Sequence, residues 1–232
     1  MSRFESEHSW ILHRRAWRES SALVELFSLE HGRVGLVARG LRRQSSPWRG
    51  LGEPFIPLCT SWVRRGEMGT LTAIEATGSR VSLIGEALWC GLYANELILR
   101  LVGRDDPVAP MFGAYSALLM ELGTDADRHA ALRRFELALL DNLGVAPDLS
   151  REALQGSPIE PEGWYRLEPE AGFLPAQTGR GAYSGKAILS LTGQAEADAD
   201  LRRQARQIMR VLIDHQLDGR PLKTRELFRS VR

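Results

Sequence analysis

Between Glu30 and Glu53 the chain carries no carboxylate, yet Arg33, Arg39, Arg42, Arg43 and Arg49 all fall there, with Trp48 among them. Arginines pair with successive phosphates, and an indole can stack on a base for about 1–3 kcal/mol. Cations without a local acid, interleaved with an aromatic, predict a surface for single-stranded nucleic acid. Residues 42–49 have the polar, Pro-containing composition of a mobile loop. A second basic group lies near the C-terminus. Arg202, Arg203, Arg206 and Arg210 share one face of a helical pattern, and Leu201, Ala205, Ile208 and Leu212 share the other. Lys223 and Arg225, in the tail 220–229, extend this additional basic face. A third group, Arg133, Leu137 and Leu140, has i, i+4, i+7 spacing. An arginine heading a leucine ridge suits an acidic, hydrophobic peptide tail; it equally suits a second packing face with a snorkelling cation.

Catalytic patterns fail on inspection. Gly181-Ala182-Tyr183-Ser184-Gly185-Lys186-Ala187 has one residue too few for a phosphate loop, and Ala187 stands where a magnesium-binding hydroxyl is needed. Neither a nucleophile elbow nor a metalloprotease helix motif is present, and Asp105-Asp106 before Pro107 is explained by a helix stop. The expectation is a protein that is not an enzyme. Cys59 and Cys90 are far apart, form no CxxC pair and lack histidines at ligand spacing, so neither zinc nor any other cofactor is expected.

These residues need elements to hold them. Residues 9–17, 22–29, 33–38, 55–63 and 70–76 are short runs rich in β-branched, leucine and aromatic residues separated by turns. Glu30-His31-Gly32-Arg33 predicts a hairpin with Gly32 at positive φ. Five such strands in 1–80 suit a small closed barrel of the OB type. From about Gly85 the period becomes helical: 86–102, with Glu96 and Arg100 as an i,i+4 pair and Asn95 as a hydrogen-bonded core amide, then 111–122, 131–143 and 201–217. Pro110 opens the second helix, and Asp198 or Asp200 caps the last. In 131–143, Leu132, Phe135, Ala138, Leu139 and Leu143 form the apolar arc; Glu136 falls inside it and needs a partner, and Gly144 is placed to end the helix. Residues 146–183 are broken by Pro and Gly and suggest an irregular insert with a short hairpin at Trp164-Tyr165-Arg166-Leu167. The expected fold class is α+β: an OB-fold barrel over 1–80, then a mainly helical domain over 81–232.

The net charge of +1 conceals segregation: residues 1–80 hold 12 basic and 8 acidic residues, 81–198 hold 9 and 17, and 199–232 hold 9 and 4. Basic ends flanking an acidic middle suit an anionic partner. No apolar run approaches the ~20 residues of a membrane span, and the polar start at Met1–His8 lacks the apolar segment of a secretory signal. A cytoplasmic protein is expected.

Four stretches carry a resemblance: Gly32-Arg33-Val34-Gly35-Leu36-Val37-Ala38-Arg39-Gly40, Gly91-Leu92-Tyr93-Ala94-Asn95-Glu96-Leu97, Leu132-Arg133-Arg134-Phe135-Glu136-Leu137-Ala138-Leu139-Leu140, and Pro221-Leu222-Lys223-Thr224-Arg225-Glu226-Leu227-Phe228. In this order they resemble the RecO family of bacterial recombination mediators. The resemblance implies an N-terminal OB-fold and a helical domain, binding of single- and double-stranded DNA, annealing, and help in loading RecA on DNA coated by single-strand DNA-binding protein (SSB). It implies RecR, sometimes RecF, and the acidic, Phe-ending tail of SSB as partners, and a place at the nucleoid. Some members carry a four-cysteine zinc module in the region matching 146–183; this chain has no cysteine there. The other reading left open is a basic adaptor that binds acidic peptides without touching nucleic acid.

Overall fold

In the computed structural model, which describes residues 1–124, 126–193 and 198–230 (the last three without their side chains), the first strand is long enough to pair twice. β1 (Ser2–Trp17) pairs antiparallel through its first half with β4 (Leu58–Arg64) and through its second half with β2 (Ser21–Ser28). β3 (Gly32–Ala38) joins β2 antiparallel and β5 (Gly69–Ala76) in parallel, and β5 returns to β4. The order β1-β2-β3-β5-β4 closes into a barrel, as the sequence predicts. β1 starts seven residues earlier than expected, because its polar, exposed first half has no apolar alternation to announce it. A register shift between Phe4 and Glu7, with Ser6 at φ 58, lets the strand bend between its two partners. β4 starts later than expected: Phe55 sits at φ 67, and the strand opens only after Pro57.

The barrel is filled by Ile11, Val24, Leu26, Val34, Leu36, Leu58, Trp62, Leu71 and Ile74. Gly32 has φ 62, and a Cβ there would meet the Asp106 carbonyl oxygen at 1.9 Å, so only glycine fits this hairpin.

Six helices follow among the described residues: α1 (Gly85–Leu101), α2 (Ala109–Leu122), α3 (Arg128–Asn142), α4 (Gly185–Ser190), α5 (Ala199–Gln216) and α6 (Lys223–Ser230). Between α3 and α4 lies a three-stranded sheet, β6 (Trp164–Glu168), β7 (Gly172–Pro175) and β8 (Ala182–Ser184), in the order β7-β6-β8, so the insert is more regular than its composition suggests. None of these helices is long and apolar enough to cross a membrane.

The chain packs as two compact units, one formed by residues up to 124 with 222–230, the other by 126–221. In the first, α1 and α2 cover the barrel. Asn95 is buried as expected: its amide donates to the Leu12 carbonyl at 2.8 Å and accepts from the Tyr115 hydroxyl at 2.6 Å. Burial pushes the Tyr115 phenol far up, so it stays neutral and can donate. In the second unit α3 buries Ala131, Leu132, Phe135, Glu136, Leu139 and Leu140, and α5 buries Ala205, Ile208, Met209, Leu212 and Ile213. Asp127 caps α3 and Asp198 caps α5 by accepting the N–H groups of the first turn. Gly144, at φ 70, lies just past α3.

Candidate nucleic-acid interface

Antiparallel pairing of β1 with β2 and of β2 with β3 puts the ends of β1 and β3 at one end of the barrel. The β3–β4 connection leaves from there. Its loop is not loose chain but a run of turns: Arg43 N–H to the Gly40 carbonyl, Ser46 to Arg43, Arg49 to Ser46 and Leu51 to Trp48, all at 3.0–3.1 Å. The Arg42 N–H donates to the Ser20 carbonyl at 2.9 Å and its guanidinium to the Arg18 carbonyl at 3.1 Å. Loop and β1–β2 turn are thereby joined. Arg39, Arg42, Arg43 and Arg49 are exposed, and among the described residues no carboxylate pairs with any of them. Trp48 is half-buried and packs on the barrel core with Leu51.

Arg33 departs from this group. Its side chain is 16 % exposed, its guanidinium donates to the Leu99 carbonyl at the end of α1, and its Nε is 3.8 Å from the Glu25 carboxylate. Desolvation lowers its pKa, Glu25 opposes that, and Arg104, which also pairs with Glu25, adds to it. A guanidinium at carbonyls of a helix C-terminus meets the negative end of the dipole. Arg33 is therefore a clamp between β3 and α1, and the phosphate-binding role expected for it gives way to this one. Arginine spacing in the sequence cannot distinguish a buried cation from a free one.

The second unit holds a cleft of about 620 Å³ bordered by α3, the end of α4 and the start of α5. Arg133 and Arg134 line it from α3, and Arg202, Arg203 and Arg206 from α5, over a small apolar floor at Ala130, Leu191 and Ala205. Three of these cations have carboxylates nearby: Arg133 Nε is 2.8 Å from Glu136, Arg202 is 3.2 Å from Asp127, and Arg203 pairs with Asp200. Arg206 is exposed and pairs with no carboxylate among the described residues. Burial would raise the Asp127 pKa, but the N–H groups of Ala130 and His129, with Arg202, hold it below the usual range.

The expected leucine ridge does not form on this surface. Leu140 is fully buried and Leu137 only half-exposed, because the core-facing stripe of α3 runs through residues 132, 135, 136, 139 and 140. Arg133 is at the cleft, but its neighbours there come from α4 and α5, a grouping no sequence spacing carries. Of the C-terminal cations, Arg210 pairs with Asp214 at 3.4 Å. Lys223 and Arg225 belong to α6 in the other unit, where the Arg225 guanidinium lies 5.6 Å from the Tyr93 ring centroid. The tail is thus partly a docked helix, and the side chains of Phe228 and Arg229 lie outside the described residues.

Residues 1–80 match the family described as Recombination protein O N terminal, and residues 85–226 match Recombination protein O C terminal. The chain belongs to the RecO family. It is 43% identical to the DNA repair protein RecO of Methylococcus capsulatus over 99% of this chain and 95% of that protein. It is 44% identical to the protein of that name from Halorhodospira halophila, with 100% of both chains covered. It is 42% identical to the one from Alkalilimnicola ehrlichii, over 96% of this chain and 90% of the relative. A role in DNA repair and recombination follows from membership of this RecO family.

Proposed function

We propose that the protein is a non-enzymatic recombination mediator: it binds single- and double-stranded DNA, anneals complementary strands, and helps load RecA on SSB-coated DNA together with RecR and, where it takes part, RecF. One observation carries the DNA-binding part, the exposed and carboxylate-free Arg39, Arg42, Arg43 and Arg49 at one end of the barrel. The domain over 1–80 is the DNA-binding part of this reading, and 81–232 the helical part. Annealing then needs no covalent chemistry, because cations that neutralise both backbones lower their mutual repulsion. The protein works in the cytoplasm, at the nucleoid, without cofactor or metal.

The arginine cleft favours a second, compatible contact, the acidic SSB tail. Arginines around an apolar floor suit a peptide that offers carboxylates and ends in Phe. As a pure adaptor the protein would bind that peptide and no DNA.

Fluorescence anisotropy with a labelled single-stranded oligonucleotide separates these readings. Binding weakens steeply between about 50 and 200 mM salt in the mediator reading. Arg42→Ala with Arg43→Ala weakens it further and flattens the salt slope. Salt-independent binding, or an unchanged double variant, removes the DNA-binding reading and leaves the adaptor. An acidic peptide ending in Phe competes at the cleft, and Arg206→Glu weakens that peptide alone.

A further inference from the structure

The end of the barrel holds a second aromatic residue that the arginine-rich loop does not supply. Trp17, the last residue of β1, is 42 % exposed, whereas Trp10 and Trp62 are 3 % and 1 % exposed inside the protein. It pairs with Ser21 across the β1–β2 turn. Two residues earlier, Arg15 pairs with Leu23, and Leu23 with Val37, one row across three strands. Ala22, Val24, Leu36 and Ala38 point into the barrel core, so by alternation Leu23 and Val37 face outward with Arg15 and Trp17. This is the outer β1–β2–β3 face, carrying two half-buried aliphatics, an exposed cation and an exposed indole.

The turn beyond Trp17 is held in place. Arg18 sits at φ 53, and its carbonyl, with that of Ser20, accepts the two hydrogen bonds from Arg42. Arg15 and Arg18 are exposed and pair with no carboxylate among the described residues. Glu19 is an exposed carboxylate of the turn itself, while Glu53 is engaged by Arg14 at 2.7 Å. Trp48, by contrast, already lies against the barrel core.

Building on the DNA-binding reading above, we propose that Trp17 is the base-stacking platform of this interface, with Arg15 and Arg18 holding the phosphates on either side of the stacked base. A stacking platform needs an open π face and cations within reach of the flanking backbone. It also favours single strands over duplexes, because duplex bases already stack on one another. The wedge between the two is thereby one residue, Trp17.

The test measures affinities of the full chain for a single-stranded oligonucleotide and for a duplex of the same length, at fixed salt. Trp17→Ala lowers single-strand affinity by about 5- to 150-fold, the range of one base–aromatic stack, and leaves duplex affinity within about twofold and the salt slope unchanged. Trp17→Phe keeps most of the affinity. Trp17→Lys adds a cation yet weakens single-strand binding, which a purely electrostatic surface would not do. Unaltered single-strand binding by Trp17→Ala, or tighter binding by Trp17→Lys, overturns the proposal while the DNA-binding reading stands. Equal loss for both nucleic acids also overturns it, and absence of salt-sensitive binding by the unsubstituted chain overturns both.

Discussion

Arg33 and Arg42 stand nine positions apart in one basic stretch, and their environments set them to different work. Arg33 is held by α1 carbonyls and Glu25, and Arg42 reaches across to the β1–β2 turn. Arg33→Ala therefore acts on stability: the melting temperature falls, while the salt slope of DNA binding stays as in the parent. The same distinction governs Arg133. Its Nε lies 2.8 Å from the carboxylate of Glu136, which is 1 % exposed. A carboxylate at position 133 would face another in the core, and breaking a buried pair costs about 3–5 kcal/mol. We expect Arg133→Glu to lower the midpoint of urea unfolding sharply, and Arg206→Glu, at an exposed position, to leave it nearly unchanged. Equal midpoints would show that the Arg133–Glu136 contact carries no stability.

At the scale of elements, one side chain of α1 caps α6. Glu96 accepts the Lys223 and Thr224 N–H groups at 2.9 Å each and the Thr224 hydroxyl at 2.7 Å, so a residue of α1 serves as the cap of α6. Burial would raise the Glu96 pKa, but these hydrogen bonds, with Arg100 at 3.7 Å, lower it on balance. A carboxyl whose pKa is lower folded than unfolded contributes stability that is full above its unfolded value, about 4.3. That stability is lost as the pH falls through the folded value. Hydrogen exchange at the start of α6, taken relative to the intrinsic rate at each pH, should therefore accelerate on acidification below the usual glutamate range. Glu96→Ala should accelerate it already at neutral pH, by about 1 kcal/mol of lost capping; unchanged exchange at Lys223 and Thr224 would show that the cap does not hold the helix.

For the whole molecule, charge segregation matters more than the net +1. A chain close to neutral overall gains little long-range attraction to DNA, so the proposed DNA binding rests on local arginine clusters such as the one on the barrel. We expect annealing of complementary strands to follow the same salt dependence as binding, and to fall with Arg42→Ala and Arg43→Ala together. Annealing that persists in that variant with binding lost would place the active surface elsewhere.

The amino-acid sequence by itself determined the elements whose signal is local. Strand alternation, turn glycines such as Gly32, the Asp198 cap, and the helical period from about Gly85 all lie within a few residues of what they specify. It also carried the blocks that resemble the RecO family. Tertiary structure decided what depends on partners distant in the chain. The polar first half of β1 is a strand because β4 receives it, and Arg33 and Leu140 are withdrawn because α1 and the α3 core claim them. Arg133 meets Arg202, Arg203 and Arg206 only through the packing of α3 and α5, and the turn that follows Trp17 is bonded to Arg42 only because the barrel brings the ends of β1 and β3 together. A spacing pattern records which residues share a face of one element. Desolvation, pairing and exposure are set by what the other elements bring to that face, and those settle which arginines remain free to bind.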